Sequence, residues 1–157
     1  MTNKKPLVSG TTGISRAQKT KLAQAAQKTP VLWAPNMSLG VAVVAQMFQA
    51  LKHLDGFDFQ IEEFHHSRKK DKPSGTALFL QDRLKKELGR TDLPEPLAVR
   101  GGGIFGIHRI FAMSDEEMIT IEHTALNRRV FARGAVRAAE WLANQKAGLY
   151  VMTDVVK

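Results

Sequence analysis

A predicted strand passes into a predicted helix within the stretch Glu63-Phe64-His65-His66-Ser67-Arg68-Lys69-Lys70-Asp71-Lys72-Pro73-Ser74-Gly75-Thr76-Ala77. Pro73 interrupts the preceding segment, and Ser74 is typical of the N-cap of a helix that we predict to end near Leu88. The first N–H groups of a helix have no partner inside it, and a helix N-terminus attracts anions. We therefore expect a carboxylate or phosphate to bind beside the N–H groups of residues 74–76.

Two imidazoles and an ammonium group lie just before this helix. His65 and His66 end the predicted strand, and Lys69 follows four residues after His65. Such groups exchange protons near neutral pH, and we expect the neighbouring charges to draw their pKa values towards neutrality. Proton donors beside an anion-binding helix end predict an active site. A solvated basic loop is the alternative interpretation.

Composition is that of an ordinary soluble protein and excludes cysteine chemistry. The 157 residues are 43% hydrophobic and 24% charged, and fit one domain with a core of its own. The absence of cysteine excludes disulfides, thiolate nucleophiles and cysteine-ligated zinc. The apolar stretch from Val41 to Leu51 is too short to span a bilayer, and the N-terminus lacks the apolar core of a signal peptide. We expect a cytoplasmic protein without a membrane partner.

The net charge of +8 raises the question of a nucleic-acid partner. The basic residues are scattered over the chain, and aromatic residues do not alternate with them as a single-strand stacking surface requires. A small substrate with several negative charges explains a local positive field equally well. We predict no nucleic-acid partner, and keep nucleic-acid binding as a minor alternative.

Strands and helices alternate along the chain, which predicts an α/β fold. The first strand, helix and strand (6–9, 15–28 and 29–34) favour parallel pairing, and Ser15 followed by Gln18 matches a capping box at the start of this helix. The remaining predicted helices are 38–54, 74–88 and 130–144, and the remaining predicted strands are 57–64, 97–100, 104–113, 118–126 and 148–156. Residues 114–117 are predicted to form a hairpin loop between two of these strands.

Two apparent motifs do not support the functions that they suggest. Gly101-Gly102-Gly103-Ile104-Phe105-Gly106 has the G-x-G-x-x-G spacing of dinucleotide-binding turns, but a strand rather than a helix is predicted to follow it. A loop that approaches a ligand or a partner subunit is the favoured interpretation. His65, His66, His108 and His123 lack the spacing of a metal site, so no metal is predicted, and the last two are expected to be structural.

The stretch from Glu63 to Ala77 resembles the signature E-x-H-H-x-x-K-x-D-x-P-S-G-T-A of the dihydrodipicolinate reductase (4-hydroxy-tetrahydrodipicolinate reductase) family, with every fixed position present. Further blocks resemble the same family in the same order, and together they extend over almost the whole chain: Pro6–Gly13, Ala34–Val41, Phe131–Val136 and Gly148–Val155.

The resemblance implies an oxidoreductase of lysine and diaminopimelate biosynthesis. Its members transfer a hydride from NADH or NADPH to a cyclic unsaturated dicarboxylate, giving tetrahydrodipicolinate. By position in the motif, His65 is the acid/base residue and Lys69 the proton donor. The substrate would be bound by His66, Ser74, Gly75 and Thr76, and the nicotinamide side of the cofactor by Gly10, Thr11, Thr12, Ala34, Pro35, Asn36 and Met37.

The resemblance also implies a domain organisation. Residues 37–128 are expected to form an α+β substrate-binding and oligomerisation domain with a mixed sheet, as in the family's homotetramers. Residues 1–36 and 129–157 are expected to form the incomplete C-terminal half of a Rossmann-type domain. Family members carry a glycine-rich phosphate loop that this chain lacks, so we expect an N-terminally truncated reductase with impaired activity and weak cofactor binding. A non-catalytic dicarboxylate-binding or assembly module is the alternative.

Overall fold

The structure, a computed structural model, describes residues 5–157, and these form two compact units. The first unit contains the chain up to Ala42 together with Arg129–Lys157, and the second is Val43–Arg128. In chain order the elements are β1 (Leu7–Ser9), α1 (Arg16–Ala26), β2 (Pro30–Trp33), α2 (Leu39–Leu51), β3 (Asp58–His65), α3 (Gly75–Leu88), β4 (Leu97–Arg100), β5 (Ile107–Met113), β6 (Met118–Thr124), α4 (Arg129–Leu142), β7 (Gly148–Tyr150) and α5 (Met152–Val155).

The first unit is built on a parallel three-stranded sheet in the order β1-β2-β7. Parallel neighbours need a crossover, which α1 supplies between β1 and β2. A capping box starts α1: the Gln18 N–H donates to Ser15 Oγ at 3.3 Å, and the Ser15 N–H donates to Gln18 Oε1 at 2.7 Å. The sequence predicted both the parallel pairing and this cap, and both are confirmed.

The core of the first unit joins β2 to the C-terminal helices. Its buried residues are Leu32, Ala34, Met37, Ala42, Ala138, Leu142, Met152 and Val155. Gly134 of α4 is buried against the backbone of Met37, where a Cβ atom would fall within 3.0 Å of the Met37 carbonyl carbon and oxygen. The absence of a side chain at Gly134 therefore lets α4 lie directly on the segment that follows β2.

The second unit is built on a mixed four-stranded sheet in the order β4-β3-β5-β6. β3 pairs in parallel with β4 and antiparallel with β5, and residues 114–117 join β5 to β6 as the predicted hairpin loop. Side chains of β3 alternate between the two faces, so Phe59, Ile61, Glu63 and His65 share the buried face. That face holds the site described below.

Several predicted strands are longer than the observed ones, and two of them are longer by three residues or more. β5 begins at Ile107 rather than at 104, because residues 101–106 are a loop whose backbone bonds to the chain after β3. β7 ends at Tyr150 rather than at 156, because α5 follows, and Asp154 accepts the Val151 N–H at 3.0 Å at the start of that helix. Within residues 5–157, no helix has both the length and the apolar character needed to cross a bilayer.

Candidate active site

The buried face of the second unit's sheet gathers four polar side chains. Glu63 and His65 are two residues apart in β3 and so point to the same face. The strand register places Arg100 of β4 opposite His65, and His108 of β5 opposite Glu63. The four groups come together because of strand pairing, and Ser74, the N-cap of α3, adjoins them.

The Glu63 side chain is fully buried and accepts hydrogen bonds on both carboxylate oxygens. Oε2 bonds to Nδ1 of His65. Oε1 accepts from the Arg100 guanidinium at 2.7 Å and from the Ser74 N–H at 3.2 Å. A buried carboxylate needs such partners, since an unpaired charge in the interior is costly.

The two buried histidines are both biased towards the neutral form. Burial lowers the pKa of His65; Glu63 opposes this effect, and the charges of Lys69 and Arg100 add to it. Burial, together with nearby positive charge, lowers the pKa of His108 to about 3. From the sequence, neighbouring charges were expected to tune the pKa of His65, but burial is the larger cause. The His65 and His108 rings pack edge to face, 5.2 Å apart.

The N-terminus of α3 already binds carboxylates of its own chain. Ser74 caps the helix, since its Oγ accepts the Ala77 N–H at 3.2 Å. The Ser74 N–H donates to Glu63, and the Gly75 N–H donates to the Asp71 carboxylate. The sequence predicted that these N–H groups attract an anion; in the structure the anions at Ser74 and Gly75 are internal carboxylates. An incoming carboxylate has to compete with Asp71 at this position.

Lys69 and His66 lie in the turn between β3 and α3. The Lys69 N–H donates to the His66 carbonyl at 3.0 Å, and Lys69 Nζ forms an ion pair with Asp71 at 2.8 Å. Burial acts to raise the pKa of Asp71, but the hydrogen bond and charge of Lys69 and backbone N–H donors outweigh it and hold that pKa below its usual value. His66 Nδ1 is buried and has no hydrogen-bond partner in the described part of the chain. An orphaned buried nitrogen of this kind is suited to a ligand.

The glycine-rich loop after β4 lies against this turn. The His66 N–H donates to the Ile104 carbonyl at 2.7 Å, and the Gly101 N–H donates to the His65 carbonyl at 3.0 Å. A Cβ atom at Gly106 would lie 3.0 Å from His65 Nε2, so the bare glycine leaves room beside that nitrogen. The loop supports the histidine segment, and strand β5 follows it, so it does not have the context of a dinucleotide-binding turn.

The predicted cofactor residues lie together in the first unit. Residues 10–12 follow β1 and residues 34–37 follow β2, at the carboxyl edge of the parallel sheet. The Ala34 N–H donates to the Ser9 carbonyl at 3.1 Å, and Trp33 Nε1 donates to the Thr11 carbonyl at 2.9 Å. The carboxyl edge of a parallel sheet is where open α/β folds bind their ligands.

One group of described residues has the donor atoms for a metal ion, although none was predicted: Glu63, His65 and His108, whose ligand atoms lie within 4.8 Å of one another. Arg100 contacts the same carboxylate at 2.7 Å. A fixed cation at that distance disfavours a divalent ion. These three side chains are therefore better suited to hydrogen bonding than to binding a metal ion.

Glu63, Arg100 and His108 were not singled out as site residues from the sequence. Glu63 could have been found, because the E-x-H spacing in a strand puts both side chains on one face. His108 was expected to be a structural residue, yet its Nε2 lies 3.4 Å from Ser74 Oγ. Arg100 and His108 come from strands far along the chain, and no local signal connects them to His65.

The protein has an α/β fold, which confirms the predicted class. One unit has a parallel sheet, and the other has a mixed sheet with a buried carboxylate–imidazole pair. The chain matches the family model described as "Dihydrodipicolinate reductase, C-terminus" over residues 40–156, and the one described as "Dihydrodipicolinate reductase, N-terminus" over residues 1–37. The chain belongs to the dihydrodipicolinate reductase family, which confirms the resemblance noted above.

Similar proteins share that family. The 4-hydroxy-tetrahydrodipicolinate reductase of Bdellovibrio bacteriovorus is 60% identical over 153 residues, which are 98% of this chain and 66% of that protein. The reductase of Sulfurimonas denitrificans is 42% identical over 98% of this chain and 68% of its own length. The chain thus spans about two thirds of the length of these relatives.

A solved structure has the same fold. The structure described as dipicolinate-bound dihydrodipicolinate reductase from Paenisporosarcina sp. TG-14 superposes with a TM-score of 0.75 at 24% identity. The match covers 93% of this chain and 62% of that one.

Proposed function

We propose that this chain belongs to a reductase that transfers a hydride from NADH or NADPH to 4-hydroxy-tetrahydrodipicolinate, on the path to diaminopimelate and lysine. The relatives bear the name of this activity, and the solved relative is described as binding dipicolinate, a small dicarboxylate. The observation that carries the proposal is the contact network of the second unit, in which His65, Lys69 and the N-terminus of α3 are connected through Glu63 and Asp71.

Each residue of the network has a distinct part in the proposed reaction. Lys69 donates a proton to the reduced substrate, and His65 acts as the acid/base group beside it. His66, with its orphaned Nδ1, binds a substrate carboxylate together with Ser74, Gly75 and Thr76 at the start of α3. The positive charges of Lys69 and Arg100 attract the dianion.

The residues of the first unit fit the nicotinamide end of the cofactor. Gly10 adjoins Met37, since a Cβ atom at Gly10 would lie 3.5 Å from Met37 Cε, so residues 10–12 and 34–37 form one surface at the sheet edge. We propose that this surface holds the nicotinamide, and a bound NADH or NADPH would supply the hydride. The 157 residues contain no G-x-G-x-x-G turn that opens a helix, so cofactor binding and turnover are expected to be weak in this chain alone.

A titration distinguishes the reductase from the alternative, a non-catalytic dicarboxylate-binding or assembly module. Isothermal titration of the chain with pyridine-2,6-dicarboxylate and, separately, with NADH reports the two sites independently. Binding of both ligands, with NADH the weaker, supports the reductase, and binding of the dicarboxylate with no NADH binding supports the module. A chain that binds neither ligand contradicts both the reductase and a dicarboxylate-binding module.

Substitution of Lys69 tests its assigned part, and Lys70 provides a matched control. Lys69 is half-buried beside Asp71, whereas its neighbour Lys70 is exposed. In an assay of NADH oxidation with the substrate, Lys69→Met should lower kcat by about 100-fold or more, which is typical of a lost proton donor. Lys70→Met should leave kcat unchanged. Equal effects of the two variants would refute the assignment.

We also propose a homotetramer formed through the second unit's sheet. The sheet face opposite Glu63 carries apolar side chains, and Leu97, Val99 and Met118 on it are 55%, 41% and 60% exposed. Large apolar side chains left exposed on a sheet face are typical of interfaces. Light scattering should show an oligomer that Val99→Glu dissociates, while Val136→Glu, at an exposed position of α4, leaves it intact. A monomeric wild-type chain at high concentration would refute this proposal.

The family's biosynthetic reaction supports a cytoplasmic location, without membrane or nucleic-acid partners. Because the net charge is +8, the expected absence of a nucleic-acid partner can be tested directly. A DNA or RNA complex that survives moderate salt in a gel-shift assay would contradict it, because non-specific phosphate contacts weaken steeply with salt.

A further inference from the structure

We infer that Glu63 is a positioning residue for His65. Its carboxylate, held by Arg100 and the Ser74 N–H, accepts a hydrogen bond from the Nδ1–H group of His65 and leaves Nε2 as the nitrogen available to a ligand. The tautomer follows from contacts alone. That Nε2 is the nitrogen which serves the substrate rests on the proposed function.

The orientation of the Glu63 carboxylate is over-determined. Oε1 accepts two donors, the Arg100 guanidinium at 2.7 Å and the Ser74 N–H at 3.2 Å, which fixes that oxygen. Arg100 is itself anchored, since its guanidinium also donates to the Val99 carbonyl at 2.7 Å and the Asp71 carbonyl at 2.6 Å. Oε2 is thereby directed at Nδ1 of His65, and an ionised carboxylate can only accept there.

Nε2 of His65 lies on the opposite side of the ring. Gly106 adjoins this side, since a Cβ atom built on it would lie 3.0 Å from Nε2 and 3.5 Å from Cδ2. Glycine at this position keeps the nitrogen uncovered, whereas any larger residue would press on it. One ring nitrogen is thus bound to a fixed carboxylate, and the other has a residue without a side chain beside it. The same arrangement occurs in histidine bases in which a carboxylate bonds to Nδ1–H and Nε2 exchanges the proton.

The charged and titratable groups around His65 shift its pKa in opposite directions. Burial lowers the pKa of His65, Glu63 on the same strand raises it, and Lys69 and Arg100 lower it. His108 on β5 packs edge to face against the ring. Loss of the Glu63 charge removes the only one of these influences that favours the imidazolium.

The test is the tautomer of His65, read from ¹⁵N chemical shifts of the imidazole in the full chain labelled with [¹⁵N]histidine. A His65→Asn variant assigns the signals by their disappearance. In the wild type we expect Nδ1 to be the protonated nitrogen and Nε2 the unprotonated one. A wild-type spectrum with the proton on Nε2 overturns the inference without any need for a Glu63 variant.

Glu63→Gln should exchange the two assignments. The glutamine Oε1 will take the position bonded to Arg100 and Ser74, so its NH₂ will face Nδ1 and force the proton to Nε2, as a carboxylate-to-amide change does in a serine-protease triad. The midpoint of the His65 titration should also move to lower pH. Glu62→Gln, on the opposite face of β3, is the matched control and should change neither quantity. Unchanged shifts in Glu63→Gln, or equal changes in both variants, would overturn the inference.

Titration with pyridine-2,6-dicarboxylate separates this inference from the proposed function. In the wild type the ligand should perturb His65 Nε2 and leave Nδ1 as a bonded N–H. A predicted tautomer together with no ligand binding upholds the part of Glu63 and refutes the dicarboxylate site. Ligand binding that perturbs Nδ1 rather than Nε2 overturns the inference and leaves the dicarboxylate site in place.

Discussion

Replacement of Gly134 by alanine should destabilise the first unit, although alanine is the better helix former. Gly134 is buried in α4, where an added Cβ would fall within 3.0 Å of the carbonyl carbon and oxygen of Met37. Real Cβ atoms do not make such contacts, and the obstacle is backbone rather than a flexible side chain. Either α4 or the segment after β2 must move.

The magnitude follows from two opposing effects. Overpacking a buried position costs about 1–3 kcal/mol, and the upper end applies because a backbone carbonyl has to shift. The change from glycine to alanine inside a helix returns about 1 kcal/mol. We expect a net loss of about 2 kcal/mol in the free energy of unfolding. For a chain of this size that corresponds to a Tm lower by about 4–8 °C.

Thermal unfolding followed by far-UV circular dichroism measures this loss. Val136→Ala, two residues further along α4 at a position that is 58% exposed, is the matched control and should change Tm little. Since Met37 belongs to the proposed cofactor surface, Gly134→Ala should also weaken NADH binding. A Gly134→Ala chain as stable as the wild type would refute the account of close backbone packing.

Three further outcomes are expected. Asp71→Asn should tighten binding of pyridine-2,6-dicarboxylate, measured by calorimetry, by up to about fivefold. The reason is that the half-exposed ion pair of Asp71 with Lys69, with which the ligand competes, contributes at most about 1 kcal/mol. An equal gain in Asp92→Asn, whose carboxylate pairs with Arg90, would contradict this prediction. His108 has a pKa lowered from 6.5 to about 3, so the unfolded state binds its proton first and stability must fall as pH decreases from 6.5 towards 3. Urea unfolding in that range should show a shallower loss for His108→Gln than for the wild type, and parallel curves would refute this. Ser74→Ala should lower the free energy of unfolding by about 1–2 kcal/mol, measured by urea unfolding, because it removes the cap of α3; unaltered stability would show that the cap contributes nothing.

Local patterns in the sequence predicted most of the elements and the centre of the site. Capping at Ser15 and Ser74 placed two helix starts correctly, because a cap needs only residues three positions apart. The errors were at strand ends. The loop at 101–106 and helix α5 depend on contacts with distant backbone or on a buried face, which strand propensity does not report.

The sequence by itself determined the alternation of strands and helices, and it placed His65, Lys69 and Ser74 within one strand-to-helix connection, since neighbours along a chain stay close in space. Only the tertiary structure decided what surrounds His65. Arg100 lies 37 residues after Glu63, and the two meet because β4 pairs with β3 in one register; a shift by one residue would turn Arg100 to the other face. Register depends on packing over the whole sheet, and therefore the charge environment of His65 is a property of the fold.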